Sequence, residues 1–428
     1  MIEGISSFWF LFPILLLIYQ FGGGLLIRLI KKTAKPVQDY SYTPLVSILL
    51  PVFNESAHVL DTIQSIVACD WPTDKLEIVA YDDHSVDDSW AWMQQAAERW
   101  PQVRIFRNET NSGKHVTLSR ALAQSKGEIL ICIDSDCLFD KKAIRELVSS
   151  FSDPEVGAVG GSIGITNVNS NMLTVCQTLV YFYSFQVGKM IQNLTGHLFC
   201  ISGCLFAVRR ELFEQVEHEV KNRNWFGLNV RDGEDRYMTH AILMRGWKTI
   251  LNPDATCWTA APDTVKQLFA QQIRWRRSGL RDLFWTWARL HKHFQVIGVW
   301  PTLAALVPET FTAMWTFLIF SAFLTGGFPE GVVTVAKAML LFSSVFLGTA
   351  LVYNATCKKA ASGNILIKNI LLACPAGAWF FMDSIIITLL ALFTFDVGIW
   401  GTREKVTTAE SIAKTTVETS PVKSSSQL

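Results

Sequence analysis

Apolar and polar positions change their pattern twice along the chain. Gly4 to Ile27 are 24 consecutive uncharged positions, mostly Phe, Leu and Ile. Roughly 20 such residues span a bilayer as a helix. A cleaved leader would carry its charges ahead of the apolar run; here Arg28, Lys31, Lys32 and Lys35 follow it. A basic flank marks the cytoplasmic side, so the middle of the chain is expected in the cytoplasm. Near the other end, Thr310 to Pro329 and Ala338 to Cys357 are uncharged runs of 20 joined through a short Gly/Pro-containing turn. They predict a helical hairpin that leaves the cytoplasm and returns, with Lys358, Lys359 and Lys368 on the returning side. The last apolar stretch, Asn369 to Phe395, carries Pro375 and Asp383. An Asp inside a membrane faces protein or a water-filled path, and hydropathy leaves open whether this stretch crosses once or folds back along the interface. From Thr407 the tail is rich in Ser, Thr and Lys, a composition that predicts disorder.

The region from about Thr43 to His293 has a different rhythm. Apolar β-type runs at Val46–Val52, Leu76–Tyr81, Val103–Arg107 and Glu128–Ile133 alternate with helical patterns over His58–Cys69, Ser89–Arg99 and Lys114 to about Ser125. Strands separated by 10–15-residue helices predict right-handed βαβ units and a parallel sheet. Val156 to Gly188 is an uncharged run of 33 whose second half is long enough to pass for a span. It holds Asn169, Asn171, Gln177 and Gln186, and a crossing would place the acidic motifs before and after it on opposite sides of the membrane. It is therefore read as a buried strand and loop followed by a core helix.

Composition agrees with a membrane protein carrying one large water-soluble part. Half of the 428 residues are hydrophobic and 18% are charged, against about 25% in soluble domains. With 38 Lys+Arg against 37 Asp+Glu, there is no net charge to draw a polyanion, which argues against nucleic acid as a partner. The nine cysteines show no CxxC pair or His–Cys metal spacing. In a cytoplasmic domain they are expected to be reduced thiols.

Acidic clusters fall at the carboxyl ends of the predicted strands, where open α/β sheets bind ligands: Asn54-Glu55, Asp82-Asp83 and Asp134-Ser135-Asp136. Asp134 and Asp136 leave an apolar strand two residues apart. Hard divalent cations take a few carboxylates and phosphate oxygens, although Asp is also a favoured helix cap. Asp82 and Asp83 at a neighbouring strand end tip the choice toward a cation, because clustered carboxylates repel one another. About 100 residues on, Gly233-Glu234-Asp235-Arg236 precedes a helical pattern; the carboxylates there suit either a cap or a general base for a hydroxyl. From Thr264 to His293 a basic amphipathic helix contains Gln271, Arg274 and Trp275. Its later half reads as a surface that lies along a membrane. In its earlier half Arg274 suits a leaving diphosphate and Trp275 a sugar ring.

The order Asn54-Glu55, Asp82-Asp83, Asp134-x-Asp136, Glu234-Asp235, Gln271-x-x-Arg274-Trp275 resembles the processive family 2 glycosyltransferases of membranes, the group of cellulose, chitin and hyaluronan synthases. The resemblance covers about residues 45–290, with Trp400-Gly401-Thr402-Arg403 beyond. Within the group, Gly233–Arg236, Pro262–Thr264 and the Gln271–Asp282 string look most like the rhizobial chitooligosaccharide synthases. Cys200–Gly203 looks more like hyaluronan synthases. Two positions depart from the pattern: His84 stands where relatives have Gly, and Cys204 where they often have Pro.

The resemblance implies an α/β fold, a GT-A-like domain with a Rossmann-like mixed sheet, set in an α-helical transmembrane protein. Its parts would be an N-terminal helix and basic flank (1–40), the cytoplasmic catalytic domain (41–263), the QxxRW segment with interface helices (264–306), a transmembrane region (307–396), and the WGTR motif with its tail (397–428). Phe53, Glu55, Asp82, Asp83 and Lys114 would surround a UDP-sugar, together with Arg274, Trp400 and Arg403. Asp134 and Asp136 would hold Mg2+ or Mn2+ on the diphosphate. Asp235, beside Glu234, would be the base, and Gln271, Arg274 and Trp275 would close the site on the growing polysaccharide. The implied activity is polymerisation of N-acetylglucosamine from UDP-N-acetylglucosamine at the plasma (inner) membrane. The alternatives are a hyaluronan synthase that also uses UDP-glucuronic acid, a single-transfer enzyme acting on a membrane lipid, and a non-enzymatic transporter or scaffold. The family keeps Trp400 near the nucleotide, and one unbroken final span would carry it outside. A broken or interfacial segment around Pro375 is therefore expected.

Overall fold

The computed structural model describes residues 15, 18–29, 38–225, 227–229, 232–325, 327–356 and 367–397. Most of the expected first span, and the Trp400–Arg403 segment, lie outside the described residues. Of the N-terminal run, a π-helical turn, Ile18–Gly22, leads into α1, Gly23–Leu29.

The centre is an eight-stranded sheet. Its first half follows the predicted alternation: β1 (Val46–Val52), α2 (His58–Val67), β2 (Leu76–Asp82), α3 (Ser89–Arg99), β3 (Val103–Arg107), α4 (Lys114–Gln124) and β4 (Ile129–Ile133). All seven residues of β1 are buried, as expected for a strand covered by helices on both faces. Next come β5 (Leu138–Phe139), α5 (Ala143–Ser149), β6 (Val156–Ile165), α6 (Met172–Tyr183), a π-helical turn at Ser184–Gly188, and α7 (Lys189–Asn193). The uncharged run from Val156 is thus a buried strand, a loop and a helix. Asn171 caps α6, accepting from the Thr174 amide while the Thr174 hydroxyl accepts from the Asn171 amide. The domain continues through β7 (Leu205–Arg209), α8 (Arg210–Lys221), the small hairpin β8 (Asn224–Trp225) and β9 (Leu228–Asn229), α9 (Glu234–Leu243) and β10 (Lys248–Thr259).

The strand order is β3-β2-β1-β4-β7-β6-β10-β5, and the sheet is mixed rather than purely parallel as the alternation alone predicts. β7 runs antiparallel to both β4 and β6, and β5 antiparallel to β10. The reversal has a local use. Leu205, the first residue of β7, pairs with Ile133, the last of β4, so the loop entering β7 joins the rim on which the parallel strands end.

Five helices follow among the described residues: α10 (Val265–Ala288), α11 (Leu290–Val296), α12 (Val299–Thr325), α13 (Gly327–Thr356) and α14 (Ile367–Phe393). Among the described residues, Gly331–Thr356 and Asn369–Phe393 are long and apolar enough to cross a membrane, each with mean hydropathy 1.9. The break expected at Pro375 is absent, because α14 runs unbroken through it. Proline removes one amide donor and crowds the preceding turn, yet helices in apolar settings tolerate it where neighbours hold the backbone. Here Gly377 sits so close to Phe346 of α13 that an added Cβ would lie 2.9 Å from the ring. Both ends of α14 reach the sheet domain's side. The Asn369 amide donates to Asn169 (3.3 Å), and beyond the other end Arg281 donates to the carbonyls of Phe395 and Val397 (both 2.8 Å).

Candidate active site

The carboxyl ends of β1, β2 and β4 open onto a cavity of about 1080 Å3. Three non-glycine residues on its rim have left-handed backbones: Asn54 (φ 55°), Ser56 (φ 48°) and His84 (φ 63°). Such conformations cost energy and persist where the surroundings impose them. Asn54 is locked by Ser85, which accepts from its amide (2.9 Å), while its own side-chain oxygen accepts from the Val86 amide (3.0 Å). The neighbouring Glu55 accepts from the Ser135 hydroxyl (3.1 Å), joining the ends of β1 and β4.

The two aspartates after β2 part company. Asp83 lines the cavity and accepts from Asn108 (2.7 Å) and the amides of Ser112 and Gly113 (both 2.8 Å). It thereby positions the start of α4 and Lys114. Asp82 is fully buried, accepts from the Ser85 amide (3.1 Å), and pairs with Arg107 (2.9 Å). Its carboxylate braces the loop and does not line the cavity. The strand period explains the split, since adjacent residues point to opposite faces.

Lys114 pairs with Asp134 and lies 3.8 Å from Glu234. Burial alone would lower its pKa, but the charges of Asp134 and Glu234 outweigh that and raise it, so the ammonium is firmly charged. Asp136 opens to the same cavity; desolvation and then the Asp134 charge push its carboxyl above the usual range. Two carboxylates that resist shared ionisation suit a divalent cation. Among the described residues no cluster of three or more His, Cys, Asp or Glu is placed to hold a metal, so further ligands would be diphosphate and water.

Opposite this pair stands the first turn of α9. Its cap is Gly233 at φ 75°, and an added Cβ would fall 2.2 Å from Ser278 Oγ. Only glycine suits both the left-handed turn and the close approach. Asp235 is held from two sides: Gly203 N–H donates to Oδ2 (3.1 Å) and Arg236 N–H to Oδ1 (2.8 Å). Gly203 lies in the loop entering β7, so the antiparallel strand is what brings this first donor to the rim; the second belongs to α9 itself. Burial, then the Glu234 charge, raises the Asp235 pKa. That is the direction a general base at neutral pH requires.

α10, capped by Thr264, forms the wall facing these carboxylates. Gln271, Arg274 and Trp275 all line the cavity; Trp275 is 39% exposed, its ring 6.1 Å from that of Tyr181. The cavity thus gathers Phe53, Glu55, Asp83, Lys114, Asp134, Asp136, Glu234, Asp235, Gln271, Arg274 and Trp275. It continues past them to Pro308, Glu309 and Ala313 of α12 and Thr388 of α14.

The buried pair Asp232–Arg281 (2.6 Å) escaped the sequence reading. Arg281 also holds the two carbonyls beyond α14, so one side chain ties the turn ahead of α9, α10 and the end of α14 together. The available signal was Arg281-Asp282, a charged pair on the otherwise apolar side of the helix. Lys189 was likewise unforeseen: it lines the cavity with its ammonium over the Phe185 ring (4.3 Å).

A mixed α/β sheet with acidic residues on its carboxyl rim and a capping basic helix defines a GT-A-like glycosyltransferase fold. The chain carries a family 2 glycosyltransferase domain, since residues 47–217 match the family model Glycosyl transferase family 2. It is 30% identical over 253 residues to an N-acetylglucosaminyltransferase of Rhizobium meliloti (strain 1021), covering 59% of each chain. It is 31% identical over 242 residues to a hyaluronan synthase of Streptococcus pyogenes, covering 55% of this chain and 57% of that one. The chain therefore spans less than two thirds of the length of the curated relatives it matches. These likenesses support the chitooligosaccharide and hyaluronan synthase group. A solved mannosyltransferase of Pyrobaculum calidifontis, in complex with GDP-Man and Mn2+, shares the fold: TM-score 0.52, 21% identity, 88% of this chain and 97% of that one covered.

Proposed function

We propose that the protein is a membrane-embedded, inverting, processive glycosyltransferase that polymerises N-acetylglucosamine from UDP-N-acetylglucosamine into a β-linked, chitin-type saccharide. The observation that carries this reading is the single cavity running from Asp83 and Lys114, past Asp235, to Glu309 and Thr388 on the apolar helices. A single-transfer enzyme needs only the first part of that path; a polymerase needs somewhere for the chain to go.

Phe53, Glu55, Asp83 and Lys114 would hold the uridine diphosphate end, with Asp82 bracing their loop. Asp134 and Asp136 would hold Mg2+ or Mn2+, which supplies charge compensation for the departing diphosphate. The acceptor hydroxyl gives its proton to Asp235 as its oxygen bonds the anomeric carbon, and the carbon–oxygen bond to the diphosphate breaks on the opposite face. Glu234 keeps Lys114 in place and raises the proton affinity of Asp235. Arg274 pairs with the leaving UDP, while Gln271 and Trp275 seat the acceptor sugar. Trp400 and Arg403, outside the described residues, would complete the nucleotide pocket from the cytoplasmic side. The catalytic domain would face the cytoplasm at the plasma (inner) membrane, with α13 and α14 among its spans.

One observation favours a second reading, a hyaluronan synthase. Burial lowers the Lys189 pKa, and among the described residues its ammonium has an aromatic ring beside it and no carboxylate within ion-pair distance. A carboxylate on the acceptor would satisfy it.

The test is UDP release by the full chain in vesicles with Mg2+ or Mn2+, given UDP-N-acetylglucosamine, UDP-glucuronic acid, or both, with products sized by mass spectrometry. A ladder of N-acetylhexosamine units from the first donor alone is expected. Turnover only with both donors would establish the second reading, and no turnover with any would overturn the donor assignment.

A further inference from the structure

Four polar residues in and just ahead of α6 send hydrogen bonds to one short segment. Thr166 N–H donates to the Thr259 carbonyl (2.9 Å). Asn167 holds Ala261 from both sides, its Nδ2 donating to the carbonyl and its Oδ1 accepting from the amide (both 2.9 Å). Asn171 donates to the Asp263 carbonyl (2.8 Å), and Gln177 to the Pro262 carbonyl (2.7 Å). Thr259 ends β10 and Thr264 caps α10. The segment held in this way is the linker (260–263) that leads from the sheet into the helix of Gln271, Arg274 and Trp275.

Of the four, Gln177 is the buried one, 1% exposed. Its neighbours on α6, Val175, Cys176 and Leu179, form an apolar cluster with Leu268 of α10 and Phe346 and Tyr353 of α13. Its Nε2 also donates to the Leu173 carbonyl (3.1 Å). Both partners are carbonyls, which only accept, so the nitrogen must face them. Its Oε1 is then buried and, among the described residues, has no hydrogen-bond partner. A bare buried acceptor destabilises a fold, and Pro262 is only half-buried, so water could serve its carbonyl. Leucine at this position would hold the fold as well or better. What the amide adds is a fixed point on the linker. One turn further along α6, Tyr181 lines the cavity with its ring 6.1 Å from that of Trp275.

We infer that Gln177 is a positioning residue for glycosyl transfer. Through the Pro262 carbonyl it fixes where α10 begins, and so where Gln271, Arg274 and Trp275 stand in the cavity. Proline has a fixed φ, so a bond to its carbonyl constrains the direction of the linker as well as its place. The effect on transfer rests on the proposed roles of those three residues.

The test uses the full chain in vesicles with UDP-N-acetylglucosamine and Mg2+, comparing kcat, donor KM, product ladder and Tm. Gln177→Leu should match or exceed the wild-type Tm and keep donor KM, because Phe53, Asp83 and Lys114 belong to other elements of the cavity. Its kcat should fall by about 10- to 100-fold, the scale of a small misplacement, and its ladder should shorten. Loss of kcat at constant KM and stability separates positioning from folding. Asn167→Ala releases Ala261 instead and should act in the same direction. Cys176→Ala loosens the same apolar cluster without touching the clamp, and a wild-type ladder is expected. Wild-type kcat and ladder in Gln177→Leu, its failure to fold, or equal shortening by Cys176→Ala would each overturn the proposal. Trp275→Ala is measured beside them. A wild-type ladder there would overturn the reading of α10 itself, whereas a short ladder there beside a wild-type one in Gln177→Leu would overturn the clamp alone.

Discussion

Asp235, the proposed base, is a carboxylate whose surroundings pull its proton affinity in opposite directions. Its two backbone donors favour the charged form, yet burial and the Glu234 charge win and raise its pKa. The folded value therefore lies above the unfolded value of about 3.9, and the fold binds this proton more tightly than the unfolded chain does. That contribution is fully present below the unfolded pKa and is lost as pH rises through the folded one. At neutral pH the ionised carboxylate weighs against stability. Asp235→Asn should accordingly raise Tm at pH 7 in a thermal scan while lowering kcat by about 100- to 10,000-fold. A lower Tm would mean that the two backbone donors outweigh desolvation. The same scale shows what one residue reveals in a sequence. His84, read in the sequence as a departure from the pattern it resembles, adopts φ 63° with Nδ1 3.3 Å from the Asn108 carbonyl. The departure was legible; that the position needs a left-handed backbone was not, because φ is set by the turn from β2 toward Asn108.

At the scale of elements, the alternation of β-type runs and helical patterns through Ile133 placed each strand and helix to within about two residues, because each apolar strand is bounded by a polar turn. The reversal of β7 left no such trace. Direction within a sheet depends on where a strand enters, and FAVR is as apolar as a parallel strand would be. Pro375 misled for a related reason, since its local penalty is countered by contacts with α13 that lie far away in sequence. The pin at Arg281 belongs to this scale as well. It holds three elements through one guanidinium, and breaking a buried ion pair by removing one partner costs about 3–5 kcal/mol. Arg281→Met should destabilise the chain by that order in denaturant unfolding. The double change Asp232→Leu with Arg281→Met should recover much of the loss, because no lone buried charge remains. Equal destabilisation by the single and double variants would show that Arg281 acts through the Phe395 and Val397 carbonyls rather than through Asp232.

At the scale of the whole molecule, the sheet, α10 and the apolar helices surround one continuous space, so the proposed reading would join catalysis and passage of product in one cavity. Thr388 marks the far end: it is buried on α14, lines the cavity, and bonds the Ser384 carbonyl (2.8 Å). It stands apart from the carboxylates that would bind donor and metal. If the growing chain leaves along this path, filling it at Thr388 obstructs the product and not the chemistry. Thr388→Trp should therefore leave the first transfers and donor KM near wild type while the product ladder seen by mass spectrometry shortens to a few units. Overpacking itself costs about 1–3 kcal/mol, less than most folds have to spare, so the variant is expected to remain folded. Products of undiminished length from a folded Thr388→Trp enzyme would place the exit elsewhere, and the inner half of the cavity would then be an acceptor site open to the cytoplasm. A shortened ladder at unchanged initial rate would tie chain length to the helices that flank the active site.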